Sequence, residues 1–179
     1  MTAGVYRTTF VIMAGLPGTG KTALAEALAQ RLGGVVLSKD KVRAALFPPG
    51  AITYSGGQND FCMSVVVMAA QRIAAERSVP FVFFDGRTFS RTRHWQQVVQ
   101  SAALIGADHK VLHLHCPESL ALERLKQDRG KHPATNRDPL LYFLVKSYFE
   151  PITLPKLDVD TSCPLEECVE LCVAYLTNH

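Results

Sequence analysis

The stretch Gly15-Leu16-Pro17-Gly18-Thr19-Gly20-Lys21-Thr22 constrains this chain more than any other, because it satisfies the phosphate-binding loop pattern G-x-x-x-x-G-K-[ST] in full. Upstream lies Thr8 to Ala14, an apolar, β-branched run of strand length. Downstream, Ala23 to Leu32 consists almost entirely of strong helix formers, with Leu24, Leu28 and Leu32 recurring every fourth residue as an apolar stripe. Strand, glycine loop and helix is the context the motif requires. Its chemistry follows from geometry. Gly15, Gly18 and Gly20 let successive backbone N–H groups, with those of Pro17's neighbours and Thr19, turn toward phosphate oxygens, and the helix adds its positive end. Lys21 is placed to reach the β- and γ-phosphates, and the Thr22 hydroxyl to ligate Mg²⁺. A ligand-free glycine turn is the competing reading, and the flanking elements weigh against it.

A chain of 179 residues suits one domain over 1–179 with its own core. Hydrophobic content of 47% and charged content of 20% are ordinary for a globular protein. A net charge of +3 leaves a nucleic-acid partner possible but does not indicate one; the basic residues gather at Arg87 to Arg93 and Arg124 to Arg137, which suits a local phosphate-facing surface. The five cysteines show no C-x-x-C spacing and read as small buried side chains in a reducing compartment. The N-terminal apolar run feeds straight into the glycine loop rather than forming a signal peptide, and no stretch is long enough to span a bilayer. The expectation is a cytoplasmic protein with no membrane partner.

The order of elements reads as strand and helix in alternation. Val35 to Leu37, Phe81 to Phe84, Lys110 to His115 and Leu157 to Asp160 are the further strands. Helices are expected over a capped Ser38 to Phe47, then Asp60 to Arg77, Thr92 to Leu104, Glu118 to Arg129, Leu140 to Phe149 and Pro164 to Leu176. Ala51 to Gly57 reads as a polar connecting loop. This implies a three-layer α/β/α fold with a five-stranded parallel sheet, whose ligands lie beyond the carboxyl ends of the strands.

Asp40 follows the second strand, and Arg43 shares its helix face. A carboxylate beside the γ-phosphate can accept a proton from an attacking hydroxyl, and an arginine nearby can hold an anionic acceptor by a bidentate contact. The bland alternative is a helix-start acid with a surface arginine. Together with the glycine loop, Ser38-x-Asp40-x-x-Arg43, the strand ending in Asp85, the helix Glu123 to Arg129 and the late Leu157 to Thr161 segment, the chain resembles the small P-loop kinases. These are the AAA-type group that includes zeta toxins, polynucleotide 5′-hydroxyl kinases, gluconate kinases and adenylylsulfate kinases. The resemblance covers almost the whole chain. It implies a P-loop NTPase fold with a small lid over about 124–138, ATP and Mg²⁺ as cofactors, and Asp40 as the base.

Asp85 carries two readings: a strand-end acid holding Mg²⁺ with Thr22, or part of an acceptor site with Arg87, Arg91 and Arg93; Asp40 and Asp85 can also exchange the base and metal roles. The resemblance puts Arg124 and Arg129 on the helix that carries lid arginines, one to stack on the adenine and the other to contact the transferring phosphate, with either order open and Arg137 as a further lid candidate. His113 and His115 alternate on one strand face and read as packing or hydrogen-bonding residues, Trp95 as a core anchor, and Tyr54 with Ser55-Gly56-Gly57 as an acceptor-covering loop or a plain connection. The function expected from the resemblance is transfer of the γ-phosphoryl group of ATP to a hydroxyl of a small molecule, adenylylsulfate among the candidates, although Ser38-Lys39 stands where those enzymes carry Asp-Gly. An NTP-binding regulatory or toxin-like protein is the competing class, with polynucleotide 5′-hydroxyl kinase and nucleoside-monophosphate kinase as further alternatives.

Overall fold

The strand β1 (Thr9–Ala14) sorts its side chains by the period of two that a buried strand imposes. Phe10, Ile12 and Ala14 enter one core and Val11 and Met13 the other. The computed structural model describes residues 7–128 and 138–178. Within it, β1 is the middle strand of a five-stranded, all-parallel sheet with β2 (Val35–Ser38), β3 (Phe81–Asp85), β4 (Asp108–His115) and β5 (Leu157–Asp160), in the order β2-β3-β1-β4-β5.

One face is covered by α3 (Gly56–Ala75) and α4 (Thr92–Leu104), through Met63, Val66, Trp95 and Val98. The other is covered by α1 (Lys21–Leu32) and α7 (Leu165–Thr177), through Leu24, Leu28, Cys168 and Cys172. Trp95 is the core anchor expected, and burial pushes the Cys172 thiol up to about 12, in keeping with a packing role. Phe83 and Phe84 are fully buried on opposite faces, so truncating either to alanine costs about 3–5 kcal/mol. A smaller cluster joins α5 (Glu118–Gln127) to α6 (Pro139–Ser147) through Ala121, Leu125 and Tyr142. No helix among the described residues is long and apolar enough to cross a membrane.

The structure corrects two local expectations. The helix expected from Asp60 begins at Gly56, so Gly56 and Gly57 form its first turn rather than a loop. The Ser55 side chain accepts a hydrogen bond from the Gln58 backbone N–H, and Gln58 Oε1 accepts from the backbone N–H groups of Thr53 and Tyr54. Serine with glutamine three residues on supplies the start signal that two glycines obscure. The second correction concerns α2 (Lys39–Leu46), which starts at Ser38 without a side-chain cap. Ser38 is still the last residue of β2, paired with Asp85, and its hydroxyl lies against the backbone of Gly86.

The lid expected over 124–138 falls largely on residues 129–137, outside the described residues, as do Arg129 and Arg137.

Candidate active site

The carboxyl ends of the strands open into a cleft of about 810 Å³. Its floor is the glycine loop between β1 and α1. Close packing, not loop flexibility alone, demands the glycines here. A Cβ on Gly15 would sit 2.3 Å from the Leu114 carbonyl oxygen and one on Gly18 2.4 Å from that of Ala121, both at positive φ. The loop is therefore seated on the end of β4 and on α5. Thr19 Oγ1 closes the turn onto Leu16 O at 2.8 Å. Lys21 Nζ lies folded over the loop, donating to Gly15 O at 2.9 Å and Leu16 O at 2.6 Å. Pro17, Gly18, Gly20, Lys21 and Thr22 all line the cleft.

Thr22, one residue into α1, donates to both carboxyl oxygens of Asp85, at 3.2 and 3.1 Å. Asp85 ends β3 and is only 2% exposed. A hydroxyl and a carboxylate, both hard oxygens, thus stand together at the mouth of the glycine loop. No group of three or more His, Cys, Asp or Glu fit to cage a metal exists among the described residues. This donor set fits Mg²⁺, which keeps water and phosphate ligands and needs few from protein.

Arg124 comes from α5, at the far side of the loop. Its guanidinium donates to Thr161 Oγ1 at 3.1 Å and Thr161 O at 2.7 Å, and lies beside Gly20. Thr161 Oγ1 in turn donates to the Thr19 carbonyl at 3.1 Å. The residue after β5 thereby ties the loop to the arginine, a role that sequence adjacency could not reveal.

The opposite wall is built by α2, α3 and the segment after β3. Asp40 Oδ1 accepts from Arg43 at 2.6 Å and Lys39 at 3.2 Å. Asn59 Oδ1 accepts from the same two cations, from Lys39 Nζ at 2.8 Å and from Arg43. The Asn59 amide then donates to the Tyr54 carbonyl at 2.9 Å, and the Tyr54 ring stacks under the Arg43 guanidinium at 4.9 Å. Arg43 is 2% exposed, with both terminal nitrogens engaged by protein groups. The bidentate grip on an acceptor expected from Arg43 is taken up by the chain itself: Arg43 organises this wall. Tyr54 is held at φ 52 as part of it, not as a plain connection. Burial holds the Lys39 ammonium below its usual range, with Asp40 opposing and Arg43 and Arg87 adding to the effect.

The start of α2, which carries Asp40, packs against the turn after Asp85 because Gly86 has no side chain. A Cβ there, at φ 81, would lie 3.0 Å from the backbone nitrogens of both Lys39 and Asp40. Beyond it, Arg87 pairs with Asp60 at 2.7 Å, and the exposed Arg93 approaches the same carboxylate at 3.7 Å. Burial lowers the Arg87 guanidinium. Burial acts to raise Asp60, but the Arg87 hydrogen bond and the positive charge around it hold the carboxyl below its usual range. His94 is pushed down to about 4, first by burial and then by Arg87 and Arg93, so it is neutral at physiological pH. Arg91 turns to Glu150 at 3.5 Å and stacks on Tyr148 at 4.4 Å. His113 pairs with Asp158 at 2.6 Å, as a hydrogen-bonding residue would.

The structure thus brings the glycine loop, Asp40, Arg43, Asp85, Arg87, Arg93 and Arg124 to one cleft. Sequence reading missed Lys39, Asn59 and Asp60 as members of it.

Known structures share this architecture. A provisional kinase from Chloroflexus aurantiacus is 22% identical and superposes with a TM-score of 0.74 over 94% of this chain and 98% of its own. The APS kinase CysC of Mycobacterium tuberculosis, solved with AMPPNP and APS, is 17% identical, with a TM-score of 0.70 over 97% and 99%. A gluconokinase of Sinorhizobium meliloti is 22% identical, with a TM-score of 0.65 over 97% and 93%. At these identities the likeness shows the fold, a P-loop kinase-like α/β sheet. No curated protein matches the sequence. A family model described as an AAA domain matches residues 10–138, most of the chain including the whole glycine loop, Asp40 and Asp85, and the chain accordingly belongs to that family, AAA_33.

Proposed function

We propose that this chain is an ATP-dependent phosphotransferase that moves the γ-phosphoryl group to a hydroxyl of a small-molecule acceptor. The observation that carries the reading is a single cleft with Lys21, Thr22 and Asp85 at one end and Asp40, oriented by Lys39 and Arg43, on the facing wall. A regulatory nucleotide switch has no need of a carboxylate held in that place.

The glycine loop and Lys21 bind the phosphates and offset their charge. Arg124, anchored by Thr161, flanks the nucleotide beside Gly20. Asp40 orients the acceptor hydroxyl and takes its proton. Thr22 and Asp85 would hold Mg²⁺, which would supply charge neutralisation at the phosphates. Since such transition states are loose, positioning outweighs basicity. All five cysteines are free, in keeping with a reducing, cytoplasmic setting.

The test is an acceptor screen with γ-labelled ATP and Mg²⁺ over adenylylsulfate, gluconate, nucleosides, nucleoside monophosphates, 5′-hydroxyl oligonucleotides, aminoglycosides and phenicols. Asp40→Asn is expected to cut hydroxyl phosphorylation by about 10²–10⁴-fold while ATP affinity changes little. Label released only as free phosphate favours the regulatory class. Label placed on a monophosphate, with activity surviving Asp40→Asn, favours a nucleoside-monophosphate kinase.

A further inference from the structure

At the rim of the wall that carries Asp40, two guanidiniums share one carboxylate. Lys39 and Arg43 are buried there with Asp40 and Asp85 as the buried carboxylates of the cleft, and the Arg87 side chain is 9% exposed. The counterion of Arg87, Asp60, sits half exposed at the rim and is shared with Arg93. One donor lacks an acceptor as well: Arg43 Nε is buried with no hydrogen-bond partner among the described residues. Desolvation already disfavours the charged forms of Lys39 and Arg87, which an incoming anion would relieve. Past this wall the cleft continues into a side pocket of about 350 Å³, with Asp60, Arg87, Arg93 and His94 lining both spaces.

We propose that this side pocket and the adjoining wall form an oxyanion subsite, so that the acceptor is a hydroxyl compound that also carries a phosphate, sulfate or carboxylate group. The word acceptor rests on the phosphotransferase reading; the anion site stands on the charges and cavity above. A hydroxyl presented at Asp40 leaves the remainder of the molecule extending past Gly86 toward Arg87 and Arg93. The Asp60 carboxylate occupies those arginines in the structure, and an acceptor oxyanion competes with it or joins it. Neutral His94 lets the pocket take an anion without adding a fixed charge of its own. A polycation such as an aminoglycoside would meet like charge at this wall, whereas anionic hydroxyl compounds meet complementary charge.

The experiment is calorimetric titration of inorganic sulfate into the full chain saturated with AMPPNP and Mg²⁺, so that the glycine loop is already filled. Saturable sulfate binding is expected. It weakens tenfold or more in Arg87→Gln and several-fold in Arg93→Gln, whose exposed side chain carries no folding risk. Asp60→Asn, which releases both arginines, tightens it several-fold, a gain that structural damage does not imitate. Absence of saturable binding to the loaded protein, or binding unchanged by all three substitutions, overturns the subsite and leaves the phosphotransferase reading standing. Failure of AMPPNP to bind strikes that reading instead. The same sulfate titration on Lys21→Ala, whose loop has lost its cation, then judges the subsite alone by the same three substitutions.

Discussion

Asn59→Ala removes the side chain that joins Lys39, Arg43 and Tyr54. Its carbonyl oxygen accepts from two cations and its amide fixes the carbonyl of a residue held at positive φ. A hydrogen bond to a charged group is worth about 1.5–3 kcal/mol net, and both donors here are buried. Lys39 and Arg43 keep Asp40 as a partner, which limits the loss. The expected destabilisation is about 3–4 kcal/mol, equivalent to a fall in Tm of about 6–16 °C for a chain of this size. Urea unfolding measures it, with an unchanged m-value as the check that the unfolding transition is the same one. Asn59→Asp offers an acceptor to both cations and is expected to recover most of the stability, while its added negative charge weakens sulfate binding on the same wall. A loss below about 1 kcal/mol in Asn59→Ala would refute the reasoning, since water would then satisfy both cations as well as the amide does.

Gly86→Ala is expected to cost about 2–4 kcal/mol, from left-handed strain together with a Cβ pressed onto two backbone nitrogens, and to lower kcat more than ATP affinity because it pushes away the start of α2, which carries Asp40; denaturation and steady-state kinetics report the two effects. His94 binds a proton more readily unfolded, near its ordinary value of 6.5, than folded, near 4, so the unfolded state gains protons as pH falls through that window. Wild-type stability is therefore expected to drop by about 1–2 kcal/mol more than that of His94→Gln between pH 7 and pH 4, partial solvent screening of the half-buried ring included, as read by urea unfolding at each pH.

What the sequence revealed was whatever neighbouring residues encode together. The apolar run, glycine loop and leucine stripe specify strand, turn and helix locally, and Asp85 announces itself by ending a buried run. Asn59 stayed hidden because Gly56 and Gly57 mask the first turn of α3, so the helix seemed to begin one residue after it; Ser55 with Gln58 was the available signal. Lys39 looked like a spacer between a strand and Asp40. Its partner is twenty residues away, and only the packing of α2 on α3 brings the pair together. The same holds for Thr161 and Arg124, joined across the β4–β5 side of the sheet. The spacing of Asp40 and Arg43 puts them on one helix face but carries no information on burial, which only the packed structure supplies.

The sheet order has a consequence for how such a chain diversifies. Loop, Arg124 and Thr161 follow β1, β4 and β5, whereas Asp40 and Asn59 lie between β2 and β3 and Arg87 and Arg93 follow β3. The two halves meet along the β1–β3 ladder and at the Thr22–Asp85 contact. On the proposed phosphotransferase reading, inherited change in α2, α3 and the segment after β3 can therefore retarget the molecule toward a new partner compound while the energy source stays the same. The architecture works as a socket and an interchangeable fitting, with Gly86 marking the seam between them.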